Sequence, residues 1–285
     1  MSRVELFART EIGCVRERNE DSFVVANITT GERGLRPGTT IQQLDESVGL
    51  IGVCDGMGGA AAGDIASKIA SETLYDQLMM ATALHEVSSV QEALLSAVVG
   101  ANRAIADYAH THPGKRGMGT TMTGALTYGH EVHIVHVGDS RAYLRRGRTL
   151  HQLTTDHSIV GQMVATGQLT PEEARSYEHR NVLLQALGVQ AVIQPEIVVA
   201  PVCAGDVLLM CSDGLTGPLD DDGILEIMLR FDDPVRCCRA LTEAACANGG
   251  PDNVTVAVAR FLGEGLPIAD ERDPVQPRRS SHTLQ

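Results

Sequence analysis

The chain has 285 residues, 43% of them hydrophobic, with no Trp, 5 Tyr and 4 Phe, so its core must be aliphatic. Its 23 Lys and Arg stand against 36 Asp and Glu, a net charge of −13. That balance repels nucleic acid and anionic membrane surfaces, while the apolar content excludes a disordered acidic chain.

In chain order, Val4–Arg9 and Ser22–Asn27 read as strands joined by a tight turn at Arg16–Asp21. Residues 28–47, rich in Gly and Thr, read as a long surface loop. Val48–Cys54 is a continuous apolar run and predicts a buried strand. Helical spacing follows over Gly63–Met80 and Val90–Tyr108, the second with a stripe that includes Val90, Leu94, Ala97, Ala101 and Ile105. Thr120–Leu153 breaks into β-branched runs at Tyr128-Gly129-His130, Gly138-Asp139 and Arg146-Gly147-Arg148, the pattern of an antiparallel meander. Thr170-Pro171-Glu172-Glu173 predicts a helix start with a capping box. Ile193–Val199 and Asp206–Cys211 read as strands, Gly223–Arg230 and Pro234–Ala247 as helices, and Val254–Phe261 as a last strand. Strands cluster instead of alternating with helices, which predicts an antiparallel α+β fold. Residues 1–262 form one expected domain, and 263–285, with three Pro from 264 on and a polar end at Arg278-Arg279-Ser280-Ser281, an expected mobile tail.

Seven Cys include no C-x-x-C pair, and Cys54, Cys203 and Cys211 sit among apolar neighbours. With no apolar leader at Met1–Glu5 and no membrane-length apolar run, the expectation is a cytoplasmic monomer with reduced thiols.

Three acidic turns carry the chemistry. Cys54-Asp55-Gly56-Met57-Gly58-Gly59 and Ser212-Asp213-Gly214-Leu215 each deliver an Asp from an apolar run onto a Gly, and Asp252-Asn253 precedes a strand. Glu20-Asp21 heads another apolar run. One Asp-Gly alone is an ordinary turn. The set supplies enough oxygen ligands for two hard cations sharing a carboxylate, and the absence of a His-Cys cluster with zinc spacing favours Mg²⁺ or Mn²⁺. That combination predicts a metal-dependent hydrolase.

The ordered segments resemble the metal-dependent serine/threonine protein phosphatases of type 2C, in their compact bacterial form. They are Gly13-Cys14-Val15-Arg16 with Asn19-Glu20-Asp21-Ser22, Asp55-Gly56-Met57-Gly58-Gly59, Gly119-Thr120-Thr121, Gly138-Asp139-Ser140-Arg141, Thr155-Asp156-His157-Ser158, Asn181–Gly188, Ser212-Asp213-Gly214 and Asp252-Asn253-Val254-Thr255. The resemblance implies an αββα sandwich of two antiparallel sheets flanked by helix pairs, with metals in a cleft at one end. It implies that Asp55 bridges two Mn²⁺ or Mg²⁺ ions, joined by the Gly56 carbonyl, Asp213 and Asp252. Glu20 and Asp21 would hold metal-bound waters or complete the shell, and Asp139 with Asp213 would support a third, weaker ion. Arg16 would grip the phosphoryl oxygens while a metal-bridging hydroxide attacks phosphorus. The implied partners are phosphorylated Ser/Thr proteins, including a Ser/Thr kinase and its substrates. Segment Ile159–Tyr177 resembles the family's flap beside the cleft.

Plainer readings stand beside these. Arg16 alone reads as a surface ion pair with Glu20, and Asp139 as a turn cap. Ala60 stands where many bacterial relatives carry His, which leaves the leaving group's proton to a metal-bound water or to His157; His130, His133, His136 and His157 otherwise read as structural. The missing His also keeps open a non-catalytic regulator that binds a phosphoprotein. Gly56-x-Gly58-x-x-Ala61 mimics a dinucleotide fingerprint, but Asp55 would set a negative charge against the pyrophosphate.

Overall fold

The computed structural model describes residues 2–34, 40–43, 47–58, 62–81, 87–269 and 274–284. Its strands pair antiparallel in two main sheets. The first half of the chain gives β1 (Arg3–Glu11), β2 (Asp21–Asn27), β3 (Glu32–Arg33), β4 (Thr40–Gln43), β5 (Gly49–Met57), α1 (Gly63–Met80) and α2 (Val87–Thr111). Then come β6 (Gly119–Thr120), β7 (Met122–Tyr128), β8 (Glu131–Val137), β9 (Arg141–Arg146), β10 (Thr149–Gln152), α3 (Ile159–Ala165) and α4 (Pro171–Arg175). The last part gives β11 (Glu196–Pro201), β12 (Val207–Cys211), α5 (Asp213–Thr216), α6 (Asp221–Arg230), α7 (Pro234–Ala247), β13 (Val254–Leu262) and β14 (Arg278–Ser281).

One sheet runs β10-β9-β12-β13-β1-β4, and the other β14-β11-β8-β7-β5-β2-β3 with β6 pairing β5. Strand alternation sorts their side chains into three apolar layers. Val24, Leu50, Leu126 and Val135 face α1 and α2. Their chain neighbours Val25, Ile51, Ala125 and Ile134 turn the other way and meet Leu6, Leu208, Met210, Ala259 and Phe261 of the opposite sheet. On the far side, Val207, Leu209, Cys211, Val256 and Val258 pack under Leu215, Ile224, Met228 and Leu241 of α5–α7. Both faces of the central strands are therefore buried, which is why they read as unbroken apolar runs. The layers are helices, sheet, sheet, helices, as the resemblance implies.

Three expectations need correction. Loop 28–47 contains two short strands, of which β4 pairs β1 as the sheet edge. The expected meander is split: β7 and β8 form a hairpin in one sheet, while β9 pairs β12 and β10 in the other. The chain crosses between sheets at Gly138-Asp139-Ser140, where Gly138 takes φ +111 and a Cβ would stand 2.5 Å from Thr121 Cγ2. Finally, the described parts of the expected mobile tail, 263–269 and 274–284, pack against the domain. Leu266 and Val275 enter the core between the sheets, and β14 pairs β11. Its polar Arg-Arg-Ser-Ser composition suits an edge strand open to water.

Candidate metal centre

The acidic residues gather at one end of the sandwich, each placed by a strand terminus. β5 ends with Asp55-Gly56-Met57, and its antiparallel register with β2 sets Asp21 opposite Asp55. The main chain of Asp55 is gripped from both sides: its N–H donates to Thr121 Oγ1 at 2.9 Å, and its carbonyl accepts from Thr121 N at 2.9 Å and Thr120 Oγ1 at 2.8 Å. At Gly56 a Cβ would lie 2.1 Å from the Gly63 carbonyl oxygen and 2.5 Å from that of Glu20, so only glycine lets these backbones meet. Asp213 opens α5 straight after β12, and Asp252 lies in the turn between α7 and β13.

A polar clasp holds Asp21. Ser212 Oγ and Thr255 Oγ1 each donate to Asp21 Oδ2 at 2.7 Å, and Thr255 N donates to Ser212 Oγ at 3.0 Å. Asn253 fastens the loop before β2: its side-chain oxygen accepts from Glu20 N at 2.8 Å, and its amide donates to the carbonyls of Ile12 at 2.9 Å and Arg18 at 2.8 Å. Ser212, Asn253 and Thr255 lie in the segments that carry the resemblance, with no role legible from sequence. Their composition marks a turn, and only the fold shows which acid they serve.

Electrostatics set these acids apart. Burial, then repulsion from Asp213 and Asp252, pushes Asp21 up to about 7 against the pull of its two hydroxyl donors. Burial and the charges of Asp21, Asp213, Asp139 and Asp252 hold Asp55 well above the usual carboxylate range. Asp139 is likewise high, from burial and then from Asp213 and Asp156. Asp213 is raised by burial and Asp252, and Asp55 lies within hydrogen-bonding reach of it. Its Oδ1 is buried with no donor among the described residues. A buried acceptor without a donor, amid carboxylates that repel one another, is the environment a hard cation relieves.

Among the described residues no group of three or more His, Cys, Asp or Glu side chains is drawn together so as to hold a metal ion by itself. The fit to divalent cations rests instead on the unpartnered Asp213 Oδ1 and the mutually repelling acids around it, and Mg²⁺-like ions, which keep several waters, ask for only one or two protein carboxylates each. The residues present thus fit divalent cations.

Arg16 is half exposed, and its Nη2 donates to Asp252 Oδ2 at 2.8 Å. The surface pairing with Glu20 is replaced by one with Asp252, within the acidic group. Glu20 itself sits at the start of α1, where a Cβ on Gly63 would lie 2.8 Å from Glu20 Oε2. A carboxylate at that helix start opposes the dinucleotide reading, whose pyrophosphate would occupy the same end. Burial raises the Glu20 carboxyl while Arg16 lowers it.

His157 is engaged by the backbone of Gly138 and by His136. Its Nδ1 accepts from Gly138 N at 3.3 Å, its ring tilts against His136 at 4.8 Å, and burial lowers its pKa against the pull of Glu196 and Asp156. It supports the turn that carries Asp139. His133 and His136 are buried in β8. Ala60 lies outside the described residues. In the flap segment the capping box of Thr170 and Glu173 is present, and Arg175 donates to the carbonyls of Thr216, Gly217 and Leu219, tying the flap to the end of α5.

Comparison with known proteins bears on the family and the fold. The protein phosphatase 2C family profile matches residues 38–245. The chain is 39% identical over 281 residues to the serine/threonine protein phosphatase PstP of Mycobacterium tuberculosis, covering 94% of this chain and 48% of PstP. It thus spans about half the length of that curated relative. It is 36% identical over 255 residues to the serine/threonine phosphatase Stp of Listeria welshimeri, covering 87% of this chain and 92% of Stp. A crystal structure of a PstP catalytic domain in complex with two manganese ions superposes with a TM-score of 0.74 at 33% identity, over 92% of this chain and all of that one. Matching segments, layer order and acidic cleft converge, and the chain belongs to the protein phosphatase 2C family.

Proposed function

We propose that this protein hydrolyses phosphoserine and phosphothreonine in other proteins with the help of Mn²⁺ or Mg²⁺. The observation that carries this reading is the group of part-buried acids, Asp21, Asp55, Asp139 and Asp213, bonded to no Lys or Arg among the described residues. Asp55, the Gly56 carbonyl, Asp213 and Asp252 would hold two ions. Asp139 with Asp213 would hold a third and weaker one, and Glu20 and Asp21 would order the outer shell. When bound, such ions supply Lewis acidity and an activated water.

The chain's own groups do the rest. Arg16, half exposed beside Asp252, offers a planar fork to two oxygens of an incoming phosphoryl group. Ser212 and Thr255 fix the Asp21 carboxylate, and Thr120 and Thr121 fix the backbone that presents Asp55. The partner class is a phosphorylated Ser/Thr protein, and with it the kinase whose products are reversed. Seven free thiols fit work in a reducing cytoplasm, and among the described residues no helix is long and apolar enough to cross a membrane.

The test is phosphate release from a phosphothreonine peptide. The expected result is turnover with Mn²⁺ or Mg²⁺ and none in EDTA. Absence of turnover with either ion would favour a regulator that binds phosphoproteins without hydrolysing them.

A further inference from the structure

Two cysteines that the metal chemistry does not use stand at the edge of its site. Cys14 lies on the exposed loop that carries Arg16, and Cys246 lies at the end of α7, in the segment that leads to Asp252. Although 232 positions apart, they meet: the Cys14 thiol donates to the Cys246 carbonyl at 3.6 Å. The backbone holds them there. Cys14 N donates to the Gly250 carbonyl at 2.8 Å, and a Cβ on Gly250 would stand 2.9 Å from Cys14 Sγ and 3.2 Å from Cys246 Cα. Both cysteines thus pack against the same Gly250 turn.

The other cysteines, Cys54, Cys203, Cys211, Cys237 and Cys238, are buried, whereas Cys14 is exposed and Cys246 partly so. Burial and its neighbour Cys14 raise the Cys246 thiol. An oxidant therefore meets Cys14 first, and Cys246 is placed to resolve the product.

We propose that Cys14 and Cys246 form a reversible disulfide site, closed by hydrogen peroxide, that ties the Arg16 loop to the end of α7 and slows turnover. The Cys14 thiolate attacks one peroxide oxygen: an S–O bond forms, the O–O bond breaks, and the departing hydroxide takes up a proton as water. The Cys246 thiolate then attacks the sulfenic sulfur, so that the S–S bond forms, the S–O bond breaks and a second water leaves. Two thiols lose two electrons, and one peroxide is reduced to two waters. Arg16 lies two residues beyond Cys14 and is held on Asp252. The bridge restrains the loop when Arg16 must turn from Asp252 toward an incoming phosphoryl group.

The experiment treats the reduced, Mn²⁺-loaded full chain with hydrogen peroxide, followed by non-reducing peptide mapping and phosphothreonine-peptide kinetics. The expected result is a cross-linked Cys14–Cys246 peptide pair lacking two hydrogens and a fall in kcat/KM of at least about threefold, as for a gating loop. Dithiothreitol should restore the rate, and the double variant Cys14→Ser, Cys246→Ser should keep its rate in peroxide. Oxygen adducts on Cys14 with Cys246 still free, cross-links between two chains, or a disulfide that leaves the rate unchanged would each overturn the proposal. The rate of the reduced enzyme, measured first, reports on the hydrolytic activity separately.

Discussion

Two groups of carboxylates in this protein are both withdrawn from water and differ in what they lack. Asp206 is 2% exposed and saturated: Arg146 donates to it at 2.7, 3.1 and 3.3 Å, and Cys203 N at 2.8 Å. Asp156 is held the same way by Arg141 at 2.7, 2.9 and 3.0 Å and by Gln152 at 3.1 Å. At the cleft, among the described residues, Asp21 receives two hydroxyl donors and no cation, and Asp213 Oδ1 receives no donor. Asp55 and Asp139 are raised by their acidic neighbours. A structural carboxylate brings its own guanidinium with it, whereas the cleft leaves its charge to be completed from outside.

Removing a member of each group should break different properties. Asp55→Asn takes away the carboxylate proposed to be shared between two ions, and should lower phosphopeptide turnover more than about 100-fold, beyond the effect typical of a supporting partner. Its melting temperature without metal should hold or rise, because one repelling charge is gone. Arg146→Ala should do the reverse. It strands a buried Asp206 and should cost about 3–5 kcal/mol in denaturant unfolding, while the folded fraction keeps its kcat. Equal effects of the two variants on both properties would erase the distinction.

Arg16→Ala sharpens the boundary between the groups, since Arg16 is the guanidinium seated on a cleft acid. Loss of about 1–3 kcal/mol in kcat/KM is expected, the worth of a charge-assisted hydrogen bond. The Mn²⁺ concentration for half activity should not rise, because Asp252 is freed. Unchanged kinetics would make Arg16 a surface ion pair only.

The smallest effect is expected far from the cleft. A chain ending at residue 269 loses β14, Val275 and the donation from Arg279 to Glu196 at 2.7 Å. It should melt a few degrees lower, since about 1 kcal/mol moves a chain of this size by roughly 2–4 °C. An unchanged melting temperature would return that segment to the status of a loose tail.

How much of this was legible in the sequence follows from the range of each interaction. Helix α1 was legible at its bounds because its apolar spacing is local, and α7 because Pro234 stands at its first turn under an Asp233 cap. Asp55, Asp213 and Asp252 were legible as strand-end acids, since an apolar run meeting Asp-Gly or Asp-Asn needs no partner to be recognised. The sheet change at Gly138–Ser140 was not, because β8 and β9 look alike and only their distant partners β11 and β12 separate them. The same holds for β14, four polar residues whose strand character comes entirely from β11. Asp252 as the partner of Arg16, and Ser212 with Thr255 on Asp21, are contacts across more than 190 positions that local pattern does not encode.

The most direct measurement is calorimetric titration of Mn²⁺ into metal-free protein, wild type and Asp55→Asn, at pH 7.5 and 6. Folding raises the Asp21 carboxyl to about 7 and holds Asp55 above its ordinary range. The metal-free fold therefore keeps protons that the unfolded chain has released, and it loses stability as pH rises from the ordinary carboxylate range through about 7. Mn²⁺ must displace those protons, so binding should be tighter at pH 7.5, with protons released at pH 6. The account predicts at least two ions per wild-type chain and marked loss of binding in Asp55→Asn. Wild-type protein that binds no Mn²⁺, or a variant that binds it as tightly as wild type at both pH values, would contradict it.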